Sequence, residues 1–396
     1  MIKTDILAKN LASMMARIKG FLLRHLSRES SSGQFIAEID GLRFIAIMAV
    51  VLYHANRFTL EKSRHALDLD YLGILLSQGF FGVQLFFVIS GFVIAYPFAK
   101  AIVTHTAKPR LKKYYFRRLT RLEPPYIFNL VLIFTLLVIV KGVPFGEYMR
   151  HLVASLFYQH NQVYGTGSLI NYVAWSLEIE CQFYLLAPLA VTVFRIKRSF
   201  LRRLILFSII GVWSGVDAVY LTEYPRVVYS LAYYGNYFLV GFLLVDFYIN
   251  DWQEGPTKRI SWDFIGLSAW TVMAGLLVND QYTSTLLPFL ILVAYCGAFK
   301  GTYSNRFFRK PLIYVIGGMC YTIYLYHFYL ISLIGRMSWS FVYQESRPIW
   351  GNIIMMVLVT VPPTIAASAF FFVIGEKPFM KRDWYKRVLR SRSNES

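Results

Sequence analysis

The chain is 396 residues long, 56% hydrophobic and 17% aromatic, with a mean hydropathy of +0.47. Only 16% of its residues are charged, against about 25% in soluble domains, and apolar runs of membrane-spanning length recur throughout, which excludes a soluble globular fold. The net charge of +19 would suit a nucleic-acid binder, but the placement of the charges excludes that class as well.

Residues 1–37 set Lys3, Lys9, Arg17, Lys19, Arg24 and Arg28 among Leu11, Met14, Met15, Ile18, Leu22 and Leu23. This pattern fits an amphipathic segment on the inner membrane surface or a poorly ordered tail, and no cleavable signal peptide is evident. Residues 38–379 read as one all-α membrane domain without internal repeats. Ten spans are expected, at about 42–60, 78–98, 126–141, 175–194, 204–222, 230–249, 264–279, 284–299, 312–335 and 349–375. With the N-terminus inside, 33 of the 41 Lys and Arg residues fall in cytoplasmic segments. That asymmetry puts both termini in the cytoplasm and accounts for the basic balance without nucleic acid. Residues 380–396 form a basic cytoplasmic tail whose last residues are expected to be disordered.

Gly79, Gly82, Ser90 and Gly91 in the second span permit close helix approach. The outer connection 142–174 contains Met149, Leu152, Val153, Leu156 and Phe157 at helical spacing. It reads as an amphipathic or re-entrant helix, capping an outer cavity or resting on the lipid. Pro362 and Pro363 should kink the tenth span. Cys181, Cys296 and Cys320 fit no metal spacing and read as small apolar residues.

A charge at the centre of a span costs about 2.5–3.5 kcal/mol on insertion scales, so ionisable groups there are functional candidates. They are His54, Glu178, Glu180, Asp217, Asp246 and His327. Arg43 and His54 are separated by about 1100° of helix, within about 20° of whole turns, and by roughly 16 Å of rise. One helix face therefore offers a cation at the inner mouth and an imidazole near mid-membrane. Taken singly, Arg43 also fits a positive-inside anchor and His54 an interhelical hydrogen-bonding group. Arg118 and Arg121, three apart in the basic loop before Pro124, share a helix face suited to phosphate or to lipid headgroups. Glu178 and Glu180 point about 200° apart, so one of them, the deeper Glu180, is expected to face the interior and support His54. His327, among tyrosines, lies at a depth comparable with His54.

These segments together resemble the membrane acyltransferase-3 family of O-acyltransferases, from about Glu38 to Phe379. "DGLRFIAIMAVVLYH" looks like its first-span signature of a basic residue, ten residues and a histidine. "FFGVQLFFVISGF", "RRLTRLEPPY", "WSLEIECQFYLLAP", "YTIYLYHFYL" and "GEKPF" follow in the family's order. Gln84 stands where the family usually has Asp, and Cys181 where a second Glu is usual. Some relatives carry a fused extracytoplasmic hydrolase-like domain. No counterpart is read here, so a second transfer step outside would call for a separate partner.

The resemblance implies transfer of an acyl group, usually acetyl, from cytoplasmic acyl-CoA to a hydroxyl of a surface or secreted glycan, free or lipid-linked. The setting it implies is a multi-pass protein of a bacterial inner membrane. His54 is expected to act as general base with Glu180 behind it, Arg43 to steer the donor, and Arg118 and Arg121 to hold its phosphates. His327, Trp175, Ser176 and Tyr126 are expected to bind the acceptor or to be structural. Acyl-CoA is a co-substrate, and no permanent cofactor or metal is expected. Direct attack and a covalent acyl-histidine relay both fit. The rival class is a transporter or flippase using His and Glu as a proton relay. A third is a structural or sensory membrane protein.

Overall fold

The computed structural model describes residues 20, 23–28, 35–63, 70–107, 109–217, 224–252, 255–276, 280–381 and 384. The expectations for an amphipathic N-terminal segment and a disordered C-terminal end fall mostly or wholly outside them. The fold is all-α, with no strand among the described residues.

The chain runs through α1 (Ala37–Lys62), α2 (Tyr71–Ser77), α3 (Gly82–Val103), α4 (Leu111–Lys141), α5 (Phe145–Leu156), α6 (His160–Tyr164), α7 (Trp175–Ala190) and α8 (Ser199–Val216). It continues with α9 (Leu231–Asn250), α10 (Ile260–Leu276), α11 (Asp280–Lys300), α12 (Tyr303–Phe308), α13 (Pro311–Gly318), α14 (Cys320–Val342), α15 (Ile349–Phe371), a π-helical turn Phe372–Glu376 and α16 (Lys377–Met380). Each expected span coincides with a helix or a helix pair. Six helical stretches are long and apolar enough to cross a membrane, and the bent pair α13–α14 makes a seventh. Helix α1 has the length but carries Asp40, Arg43 and Arg57, while α10 and the described part of α11 are shorter.

Two expectations are corrected. The basic loop before the third span is helical, because α4 begins at Leu111 and runs through Pro124 and Pro125. The missing N–H of Pro124 would leave the Thr120 carbonyl without a helical donor, and Trp384 Nε1 donates to it at 3.0 Å. Pro188 does the same to Tyr184 in α7, whose carbonyl accepts from Tyr114 Oη at 3.2 Å. The ninth span is broken, with α13 and α14 meeting at 74°. Helix α13 lies across α1 so closely that a Cβ on Gly317 would sit 1.7 Å from the Asp40 carbonyl oxygen.

The core is built on α3 packed against α9 and α1. A Cβ on Gly91 would sit 2.1 Å from the Phe238 carbonyl oxygen of α9, in keeping with the small-residue reading of the second span. Helix α15 runs on through both Pro362 and Pro363 to Phe371. The segment ahead of α1 meets α16: Lys377 Nζ donates to the carbonyls of Arg24 and His25 at 3.0 and 2.8 Å.

Candidate functional site

Guanidinium groups from three parts of the chain converge on one cavity. Arg28 precedes α1, Arg43 lies on α1, and Arg118 and Arg121 share a face of α4. Ser90, Ser176, Glu180, Tyr184, Cys320, Tyr321, Tyr324 and Glu376 complete the polar wall, and the space between them is about 820 Å³. A wider cavity of about 1710 Å³ shares all four arginines and adds Arg110, Lys113 and Arg117, with Asp40 as its acid. Arg43 Nη1 donates to Asp40 Oδ1, and Arg28 Nη1 donates to the same oxygen at 3.1 Å. Glu376, delivered by the π-helical turn, accepts from Thr322 N at 3.2 Å and Thr322 Oγ1 at 2.5 Å. The Nε atoms of Arg28 and Arg121 are buried without a partner. The lining thus carries more cations than its carboxylates neutralise, with N–H groups unspent, which suits a polyanion.

Arg28, Asp40 and Glu376 received no site role in the sequence reading, although Arg28 stood in the basic N-terminal segment and the other two in the quoted "DGLRF" and "GEKPF" segments. The Asp40–Arg43 spacing of three on a helix was the available signal. For Glu376 it was an acid in an otherwise basic terminus. Cys320, read as a small apolar residue, lies on the cavity wall, and all three cysteines are free thiols.

Glu180 does not sit behind His54. It accepts from Ser90 Oγ of α3 and from Tyr184 Oη at 2.5 Å, and Arg118 stacks its guanidinium over the Tyr184 ring at 5.1 Å. Helix α3 packs against both α1 and α7, so the α7 carboxylate meets α3 and the arginine cavity. Glu178, on the opposite face, is buried and accepts from Asn161 N at 2.8 Å in the outer connection.

His54 faces α14 instead. Its ring centroid lies 5.0 Å from that of His327, 5.3 Å from Phe328 and 4.8 Å from Tyr53. His327 is fully buried, with Nδ1 against the carbonyls of Tyr324 at 2.8 Å and Ile323 at 3.1 Å. Its Nε2 is buried without a partner. Neither histidine lines the arginine cavity; Tyr324 and Phe86 do, and the Tyr324 ring is 5.7 Å from His327. Tyr324 Oη donates to the Val173 carbonyl at 2.8 Å and therefore accepts from Ser176 Oγ at 2.7 Å. One aromatic layer, latched by Ser176, separates the arginines from the histidine pair.

Of the remaining candidates, Trp175 packs edge-on against Tyr229 at 5.6 Å. Tyr126 is buried, stacks on Tyr158 at 4.8 Å and donates to the Ser155 carbonyl at 3.0 Å, away from the cavity. Asp246 takes Arg202 Nε at 2.9 Å, Arg203 Nε at 2.6 Å and Asn250 Nδ2 at 2.6 Å, a closed ion pair between α8 and α9. Asp217 is buried at the end of α8 with Oδ1 unpartnered. In the outer connection, α5 packs Met149, Leu152 and Leu156 against α4, and His151 lies beside His160.

Comparison with known proteins decides the family. The family model described as an acyltransferase domain, Acyl_transf_3, matches residues 36–372. The chain belongs to the acyltransferase-3 family. Among curated proteins it is similar to the O-acetyltransferase OatA of Staphylococcus aureus strain NCTC 8325, with 27% identity over 381 residues. The OatA of strain COL matches to the same extent. The alignment covers 89% of this chain and 58% of OatA, so the chain spans less than two thirds of the curated relatives it matches. No solved structure matches. Arg28 lies ahead of the family-matched region, whereas Arg43, His54, Arg118, Arg121, Glu180 and His327 lie within it.

Proposed function

We propose that this acyltransferase-3 protein is a multi-pass membrane O-acyltransferase that moves an acyl group, acetyl in the simplest case, from cytoplasmic acyl-CoA to a hydroxyl of a cell-surface or secreted carbohydrate. The observation that carries the reading is the juxtaposition of a cation-rich cavity with a pair of facing histidines, His54 partly exposed and His327 fully buried, across the ring of Tyr324. The phosphates of the donor bind Arg118, Arg121 and Arg28, whose guanidinium forks suit phosphate oxygens. Arg43, anchored by Asp40, lines the passage for the pantetheine arm. Tyr324 swings from its Ser176 and Val173 partners to admit the thioester.

His54 takes the proton of the acceptor hydroxyl as its oxygen attacks the thioester carbonyl. The C–S bond breaks, and the CoA sulfur leaves with the proton held by His54. The acceptor approaches past Tyr53, Phe328 and Tyr172, rings on which a sugar can stack. Glu180 acts on the donor side, beside Arg118.

The test uses purified protein with radiolabelled acetyl-CoA and glycan from the producing cells. Wild-type protein should release CoA and label the glycan. His54→Ala should lower both about 10²–10⁴-fold while retaining donor binding. A transporter would release no CoA, and His54→Ala activity near wild type would remove His54 from the chemistry.

A further inference from the structure

We infer that His327 is the positioning residue that sets the orientation and tautomer of His54, the part that sequence reasoning gave to Glu180. The inference rests on His54 being the base, as proposed above. Two backbone carbonyls flank His327 Nδ1, at 2.8 and 3.1 Å, and carbonyls only accept hydrogen bonds. Nδ1 is therefore protonated, and in the neutral ring Nε2 carries a lone pair. That lone pair is buried without a donor inside the protein. An unsatisfied buried acceptor is costly, so a donor brought to it gains stability, and here a ring with N–H groups faces it.

The histidine facing it is His54, with its centroid 5.0 Å away. The same chain shows what that separation allows. His151 and His160 also have centroids 5.0 Å apart, and their nitrogens meet at 2.8 Å. A small rotation of His54, accompanying the Tyr324 swing that opens the site, brings one of its N–H groups onto His327 Nε2. The other His54 nitrogen is then unprotonated and directed at the acceptor hydroxyl. A neutral imidazole held by its own helix backbone thus orients the base, as a carboxylate does in a Ser-His-Asp triad, without a second charge in the membrane.

Kinetics of His327→Met and His327→Gln, with equilibrium binding of acetyl-CoA measured on each, test this. Methionine fills the space without a strong acceptor, and glutamine restores one. His327→Met should lower kcat about 10–100-fold with KM for donor and acceptor within about twofold, and His327→Gln should recover at least about tenfold of that loss. The inference is overturned if His327→Met keeps kcat within about threefold of wild type, or if the loss falls on KM. It is equally overturned if glutamine is no better than methionine, or if His327→Met abolishes donor binding, which marks a merely structural residue. Failure of the underlying reading is distinct: His54→Ala would then retain activity whatever His327 does.

Discussion

Two pairs of histidines have the same ring separation, 5.0 Å, and opposite accounts of their hydrogen bonds. In the outer connection, His160 Nδ1 donates to the Thr166 carbonyl at 3.1 Å, so its Nε2 accepts from His151 Nδ1 at 2.8 Å. That pair is closed and secures a turn between α5 and α7. At membrane depth, His327 Nε2 has no donor, and across one aromatic layer Arg121 Nε and Arg28 Nε have no acceptor. Folding normally spends its buried polar groups, and leaving one unspent costs about 1–3 kcal/mol. Orphaned groups of opposite need lie on either side of Tyr324: the arginine N–H groups are what a polyanionic donor would complete, and the His327 lone pair is what a rotated His54 would complete. The closed outer pair needs nothing further.

Substitutions can break this contrast. The largest effect is expected at His54: alanine there should lower transfer about 10²–10⁴-fold, whereas His151→Ala should leave turnover within about twofold of wild type. Comparable losses at both would remove the distinction between them. Next is Arg121→Ala, which removes a guanidinium with unspent capacity. Charge-assisted hydrogen bonds contribute about 1.5–3 kcal/mol, so donor KM should rise about 10–100-fold with kcat little changed. An unaltered donor KM would assign Arg121 to lipid anchoring. A smaller effect is expected at Tyr324→Phe, which keeps the ring but loses its bonds to Ser176 and Val173. The loosened layer should raise acceptor-independent hydrolysis of acetyl-CoA by about 3–10-fold, of the order expected for one neutral hydrogen bond. No change in that leak would show that the latch does not gate the donor.

Helix periodicity made much of this legible. The apolar runs marked ten helical stretches, of which six, or seven with the bent pair, are long and apolar enough to cross a membrane, and the spacing of three put Arg118 and Arg121 on one cavity wall. Periodicity specifies which way a side chain points but not which helix it meets. Glu180 was therefore assigned to His54, when α3 intervenes and Ser90 takes its carboxylate. For the same reason His327 received only a minor part, since a fixed tautomer follows from backbone carbonyls at particular distances, which spacing alone does not report. Arg28 lay in a basic stretch that looked like many membrane-surface segments. It lies beside Asp40, and its segment is also held by Lys377, which donates to the carbonyls of Arg24 and His25 from more than 350 residues away, a contact that no local pattern reports. The break between α13 and α14 was hidden because both halves are apolar.

The closed pair makes its own prediction, the smallest. Burial pushes His160 down to about 4 from the ordinary histidine value, partly offset by its bond to the Thr166 carbonyl, and burial lowers His151 as well, with Glu147 opposing. The unfolded segment binds a proton near pH 6.5, and the folded one does not until about pH 4. Between those values the unfolded state holds more protons, so stability rises with pH across that window, is fully present above it, and is lost as pH falls towards about 4. Protonation also places an N–H on Nε2, where His151 already donates, so the bond between the rings is lost unless His151 moves its proton to the other nitrogen and accepts instead. Limited proteolysis of the 142–174 connection should therefore accelerate between pH 6.5 and 4 in wild-type protein and respond less in His160→Gln, with donor binding unaffected in both. Equal pH slopes in the two proteins would show that the His151–His160 bond does not secure the turn.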